Sequence, residues 1–136
     1  VSASLTHTSA LNGSVVVVRQ LVEPVELQAD PSHGNAMLQL IAGAPQANNF
    51  AGAGPPAELF WVASMRDIAG KPSTNSLLLA QALDWLVGQG VTLINMSLGG
   101  GTTCSVLYKD AIADVASAGA VIVASTIWIA RRESAR

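Results

Sequence analysis

The sequence predicts an α/β domain with three layers, in which a mostly parallel sheet carries helices on both faces. Three short apolar runs predict buried strands at residues 59–65, 91–96 and 120–125. Segments with helical apolar spacing alternate with these runs, at residues 75–87 and 106–118. This β-α-β-α-β order requires right-handed crossovers and a sheet that is covered on both sides.

The N-terminal part of the chain fits the same design. A β-branched run at residues 14–18 predicts a further strand, and the mostly apolar residues 35–42 predict a short buried helix. Residues 67–73 are expected to connect a strand to a helix. In the last predicted helix we expect Ile112, Val115 and Ala116 to face inward, and Gly119 to end it as a left-handed cap.

Composition limits the classes of function. The chain has 136 residues, enough for one domain with a core, and 50% of them are hydrophobic. Only 12% are charged, against about 25% in an ordinary globular protein, which indicates a deeply buried sheet or an apolar face for a partner. The net charge of −2 gives no basis for binding nucleic acid. No apolar run approaches the ~18 residues of a membrane span, so we expect no membrane partner.

Four motifs follow one another in the chain. The first, around His33, is Asp-Pro-Ser-His-Gly-Asn-Ala at residues 30–36, and the second is Gly-Pro-Pro-Ala-Glu-Leu-Phe at residues 54–60. The third is Ala-Leu-Asp-Trp at residues 82–85, followed by Gly-Val-Thr-Leu-Ile-Asn-Met-Ser-Leu-Gly at residues 90–99. The fourth is Gly-Ala-Val-Ile-Val-Ala at residues 119–124. In this order they resemble the subtilisin-like serine peptidases, or subtilases, over roughly residues 10–125.

The resemblance implies a partial subtilisin-like domain at residues 1–125, with residues 126–136 forming a basic tail outside the family pattern. It implies descent from serine endopeptidases, which hydrolyse peptide bonds through an acyl-enzyme. His33 matches the catalytic histidine, the general base. Ser97, Leu98 and Gly99 match the substrate-binding segment, whose backbone pairs with an extended peptide. A peptide or protein substrate is therefore the expected partner.

Other parts of that machinery have no counterpart in these 136 residues. The family's aspartate falls on Val1 or just before it, depending on which residue marks the following turn. Ile127 and Trp128 stand where the Gly-Asn of the oxyanion turn belongs, and no Gly-Thr-Ser nucleophile motif is present. We therefore expect a truncated fragment that is inactive as a peptidase. The alternative is a non-catalytic peptide-binding or self-assembly module that uses the Ser97–Gly99 edge.

Several other interpretations of these residues are weaker. The glycine-rich residues 99–103 follow a strand but lack the lysine of a phosphate-binding loop. Cys104 as a thiol nucleophile paired with His33 is less favoured than Cys104 as a small buried or loop side chain. A single cysteine excludes a cysteine-rich zinc site, and we expect neither a metal nor a cofactor. Exposed apolar surface left by the missing elements predicts a homo-oligomer.

Overall fold

The computed structural model of the chain describes residues 11, 14–23, 32–45, 51–99 and 105–125. The first two residues of the motif at 30–36, the glycine-rich residues 100–103, Cys104 and the 126–136 tail lie outside these residues. The elements in chain order are β1 (Val15–Gln20), α1 (Ser32–Ala42), β2 (Glu58–Ala63), β3 (Arg66–Ile68), β4 (Lys71–Ser73), α2 (Ser76–Gly88), β5 (Leu93–Met96), α3 (Val106–Ser117) and β6 (Val121–Ala124).

Parallel strand pairs form the framework. β1 pairs with β2, so that Val18 lies opposite Trp61, and β5 pairs with β6, so that Leu93 lies opposite Val121. α1 connects the first pair and α3 connects the second, which gives two strand–helix–strand units. The α/β class with parallel strands is confirmed. Within the described part of the chain, no ladder of backbone hydrogen bonds joins one pair to the other.

Side chains of β2 alternate between two helical layers. Phe60 and Val62 pack against the main core cluster, which is built from α2, α3, β5 and β6. Trp61 points the other way, since successive side chains of a strand face opposite sides. It lies against Gly34 in the first turn of α1. β2 therefore separates α1 from the other two helices, as the three-layer prediction requires.

The main core lies between α2, α3 and the β5–β6 pair. Its two most deeply buried side chains are Leu83 and Val115, at 2% and 1% exposure. The other buried members of the cluster are Leu86, Ile94, Met96 and Ala120. The prediction that Ile112 and Ala116 face inward was wrong, because both are exposed. Among the residues named for α3, only Val115 is buried, so the helix presents a narrower apolar row than its sequence indicated.

Helix ends are satisfied by local hydrogen bonds. Asn75 caps α2 by accepting from the backbone N–H of Leu78 at 2.9 Å, and Ser105 caps α3 by accepting from that of Tyr108 at 3.2 Å. Gly119 follows α3 with φ of 80°, and its N–H donates to the carbonyl of Ala116 at 3.0 Å. The predicted left-handed glycine cap is confirmed.

Residues 67–73 connect β2 to α2 as predicted, and the sequence did not reveal that β3 and β4 form an antiparallel hairpin within this connection. Its two turn residues, Ala69 and Gly70, have φ of 53° and 75°. Two consecutive positive φ values are typical of the tight turns that match strand twist. The Asp67 carboxylate accepts from the Gly70 N–H at 2.7 Å and holds the turn closed.

A glycine-rich loop satisfies the C-terminus of α1. The N–H of Ala53 donates to the carbonyl of Leu40 at 2.9 Å, and the N–H of Gly54 donates to that of Ile41 at 2.8 Å. The loop comes so close that a Cβ on Gly52 would lie 2.7 Å from the backbone nitrogen of Ala42. Real Cβ atoms do not approach backbone so closely, so only glycine fits at position 52.

We predict that Gly52→Ala destabilises the fold by about 1–3 kcal/mol, because the added methyl separates the loop from the end of α1. Urea denaturation measures the loss. The control is Gly88→Ala in α2, where an added Cβ meets no atom within 4 Å. There we expect no loss of stability, because Gly88 is the last residue of α2 and the added methyl meets no other atom. Equal stability of the wild-type and Gly52→Ala chains would contradict the close approach.

Candidate active site

The candidate site forms where the first turn of α1 meets the end of β5. His33 is the second residue of α1, and its side chain is exposed. Its Nε2 lies 3.0 Å from the backbone carbonyl oxygen of Ser97, the residue that follows β5. The fold thus brings together two of the residues that the sequence singled out, although 64 positions separate them.

The chemistry of this contact fixes the proton on the ring. A carbonyl oxygen only accepts hydrogen bonds, so Nε2 of His33 must carry the hydrogen and donate it. In the neutral ring the lone pair then lies on Nδ1. To accept a proton through Nε2, the ring must first release the Ser97 carbonyl.

Polar side chains hold the segment Ser97–Gly99 from within. The Asn95 amide donates to the Ser97 hydroxyl at 3.0 Å. The hydroxyl of Ser125, just after β6, donates to the carbonyl of Leu98 at 2.6 Å. The N–H of Leu98 donates to the carbonyl of Met96 at 2.7 Å. These bonds fix the segment against both strands of the β5–β6 pair.

Ser97, Leu98 and Gly99 differ in how open they are. Ser97 and Leu98 are half-buried, while Gly99 is exposed. Leu98 packs against the main core, which ties the segment to the interior. Among the described residues, none makes a backbone hydrogen bond to Gly99. The part of the segment that remains available for pairing with another chain is therefore Gly99.

Sequence analysis missed Asn95 and Ser125 as residues of this site. Both carry polar side chains near the carboxyl ends of parallel strands, where open α/β sheets gather their ligand-contacting residues. That position was the available signal. In the part of the chain that the structure describes, no group of three or more His, Cys, Asp or Glu side chains is arranged to hold a metal ion. No described helix has the length and apolar character needed to cross a membrane.

The sequence model of the subtilase family matches residues 18–126, which include the whole of this site. The chain belongs to the subtilase family. No curated protein matches the chain.

Solved structures agree with the fold of a subtilase. A mutant of the protease domain of PatA superposes with a TM-score of 0.70 at 21% identity, over 85% of this chain and 43% of that one. The prenylagaramide maturation protease PagA gives a TM-score of 0.64 at 20% identity, over 85% and 39%. The subtilase chain described here therefore spans less than half the length of either neighbour.

We predict that Ser125→Ala destabilises this subtilase chain by about 0.5–1.5 kcal/mol, because the Leu98 carbonyl loses its donor. Urea denaturation measures the loss, and the ¹³C shift of the Leu98 carbonyl reports the broken bond. Ser117→Ala, at the exposed end of α3, is the matched control and should change neither quantity. An unchanged Leu98 carbonyl in Ser125→Ala would show that this hydrogen bond does not hold the segment.

Proposed function

We propose that this chain is the part of a subtilisin-like serine endopeptidase domain that carries the general base and one wall of the substrate cleft. The observation that supports this most directly is the placement of His33 Nε2, 3.0 Å from the carbonyl of Ser97. A histidine, whose imidazole can both accept and donate a proton, then stands beside a backbone segment suited to binding a peptide. Proton transfer and substrate alignment are needed at the same point in peptide hydrolysis.

The wall is Ser97, Leu98 and Gly99, and its ligand is an extended peptide. Backbone pairing of this kind supplies affinity through main-chain hydrogen bonds and selectivity through side-chain pockets. The exposed Gly99 offers its N–H and carbonyl, and the internal bonds of Leu98 keep the segment in one conformation. A wall that is ordered before binding loses less entropy when the peptide binds.

These 136 residues are not expected to hydrolyse peptides by themselves. They contain no Gly-Thr-Ser nucleophile motif. Both serine hydroxyls described at the site already serve as structural partners, that of Ser97 with the Asn95 amide and that of Ser125 with the Leu98 carbonyl. A general base with no nucleophile within reach cannot start acyl transfer.

We predict that the chain binds an extended peptide at Gly99 and leaves it uncleaved. Titration with a mixture of unstructured peptides should shift the amide signal of Gly99 in two-dimensional NMR spectra. Mass spectrometry of the same samples should find the peptides intact. Cleavage that disappears in His33→Ala would contradict the inactive state.

A pair of variants at one position tests the binding mode. Gly99→Pro removes the backbone donor and should abolish the shift at neighbouring amides. Gly99→Ala keeps the backbone N–H that Gly99→Pro removes, and it should therefore retain binding. Equal binding by the two variants, or no shift in the wild type, would refute pairing at this edge.

A second proposal, self-association, follows from the outer face of the β5–β6 pair. Leu93, Val121 and Val123 are 65%, 58% and 54% exposed, and all three project from that face. Residues 120–125 hold no charge, proline or glycine, so β6 lacks the features that normally protect an edge strand. A second copy is the proposed occupant, because two equivalent faces of this kind are self-complementary.

We predict a dimer or larger assembly at about 0.1 mM, measured by light scattering after size-exclusion chromatography. Val121→Lys should shift the chain toward the monomer, because a charge in an apolar contact is costly to desolvate. Ile68→Lys, at an exposed apolar residue of β3, is the control and should leave the assembly intact. A monomeric wild-type chain would overturn the proposal.

A further inference from the structure

Position 34 is a point of unusually close approach between a helix and a strand. A Cβ on Gly34 would lie 2.6 Å from Cη2 and 2.8 Å from Cζ2 of Trp61. The benzene edge of the indole therefore rests directly on the backbone of the first turn of α1. Gly34 is the neighbour of His33 in the chain, so whatever fixes the backbone at Gly34 also fixes the root of the histidine side chain.

Trp61 is itself firmly held. It lies within β2 and pairs in parallel register with Val18. The flanking side chains, Phe60 and Val62, are anchored in the main core on the opposite face. Phe60 also makes an edge-on ring contact with Trp85 of α2, with centroids 5.9 Å apart. The position of α1 is therefore set, through the indole, by how β2 packs on the main core.

Hydrogen bonding does not explain why a tryptophan stands here. The indole Nε1 of Trp61 is buried and has no hydrogen-bond partner among the residues that the structure describes. A buried indole normally finds an acceptor, and leaving the donor unpaired costs free energy. The contribution of the ring is therefore its packing against the backbone at Gly34.

We propose that Trp61 is a positioning residue for His33. The indole supports the first turn of α1 at the height where His33 Nε2 reaches the carbonyl of Ser97. The importance of that geometry rests on the proposed role of His33 as the general base. This close packing also requires glycine at position 34, because any larger side chain would collide with the indole.

The test measures the contact between His33 and the Ser97 segment by NMR, without any activity assay. Wild-type chain labelled with ¹⁵N and ¹³C should show a nuclear Overhauser effect between the His33 ring and the residues that flank the Ser97 carbonyl. Trp61→Ala should abolish this signal while the protein stays folded, and Trp61→Phe should weaken it, because a phenyl ring stops short of the positions of Cη2 and Cζ2. His7, the only other histidine, provides an internal reference in each spectrum.

Gly34→Ala approaches the same contact from the helix side, so the test does not depend on Trp61→Ala folding. It should displace the turn and abolish the signal, whereas the double variant Gly34→Ala/Trp61→Ala should be less destabilised than the two single effects combined. Trp85→Ala truncates a tryptophan on the opposite face of β2 and should leave the His33 signal intact. Gly88→Ala is the matched glycine control.

A folded Trp61→Ala or Gly34→Ala chain that keeps the wild-type signal would overturn the proposal. Loss of the signal in Trp85→Ala as well would overturn it too, since the effect would then be one of general stability. The result is separable from the proposed function. Absence of peptide binding at Gly99 would refute the substrate wall, and the effect of Trp61 on His33 would still be measured.

Discussion

The candidate site depends on β2 being packed against other elements on both of its sides. Phe60 and Val62 enter the core formed with α2, α3, β5 and β6, and Trp61 faces α1. This alternation is the ordinary pleat of a strand. It allows one strand to hold two helical layers at a fixed separation. Because His33 lies on the first layer and Ser97 is attached to the second, their 3.0 Å contact depends on that separation.

A second constraint acts at the ends of β5 and β6. Parallel strands deliver their carboxyl ends to the same edge, so Ser97 and Ser125 arrive side by side although 28 positions separate them in the numbering. The short bond from the Ser125 hydroxyl to the Leu98 carbonyl then orders a segment that would otherwise be a loose loop. The conformation of the proposed substrate wall, Ser97–Gly99, therefore follows from the sheet topology and from the side chains that hydrogen-bond to the segment.

Much of this fold follows from the sequence because its signals are local. The apolar runs located β2, β5 and β6, and periodicity located α2, although β6 is mostly exposed where a buried strand was predicted. Gly119 marked the end of α3 correctly because a left-handed residue after a helix needs no distant partner. The hairpin was missed because Ala69 adopts a positive φ with no glycine or asparagine at its own position to indicate it. The prediction that Ile112 and Ala116 face inward was wrong because apolar periodicity shows which side of α3 faces the core, but not how many residues of that side are covered.

The residues of the candidate site likewise divide into those that the sequence could indicate and those that depend on the folded structure. His33 and the Ser97 segment were found through the family resemblance, and composition or spacing alone would have left His33 as a turn residue. Asn95 and Ser125 were not found, since their roles depend on which strands are neighbours. The contact between Gly34 and Trp61 could not be predicted either. The two residues are 27 positions apart, and they come into contact only because α1 packs across β2.

That contact also restricts how the sequence can drift over time. The φ of Gly34 is not positive, so its backbone alone does not demand glycine, and the bulk of Trp61 is what excludes other residues. A lineage that first replaces the tryptophan with a smaller residue opens position 34 to substitution, whereas the reverse order passes through a strained intermediate. We therefore expect a substitution at position 34 to follow the replacement of Trp61 and not to precede it.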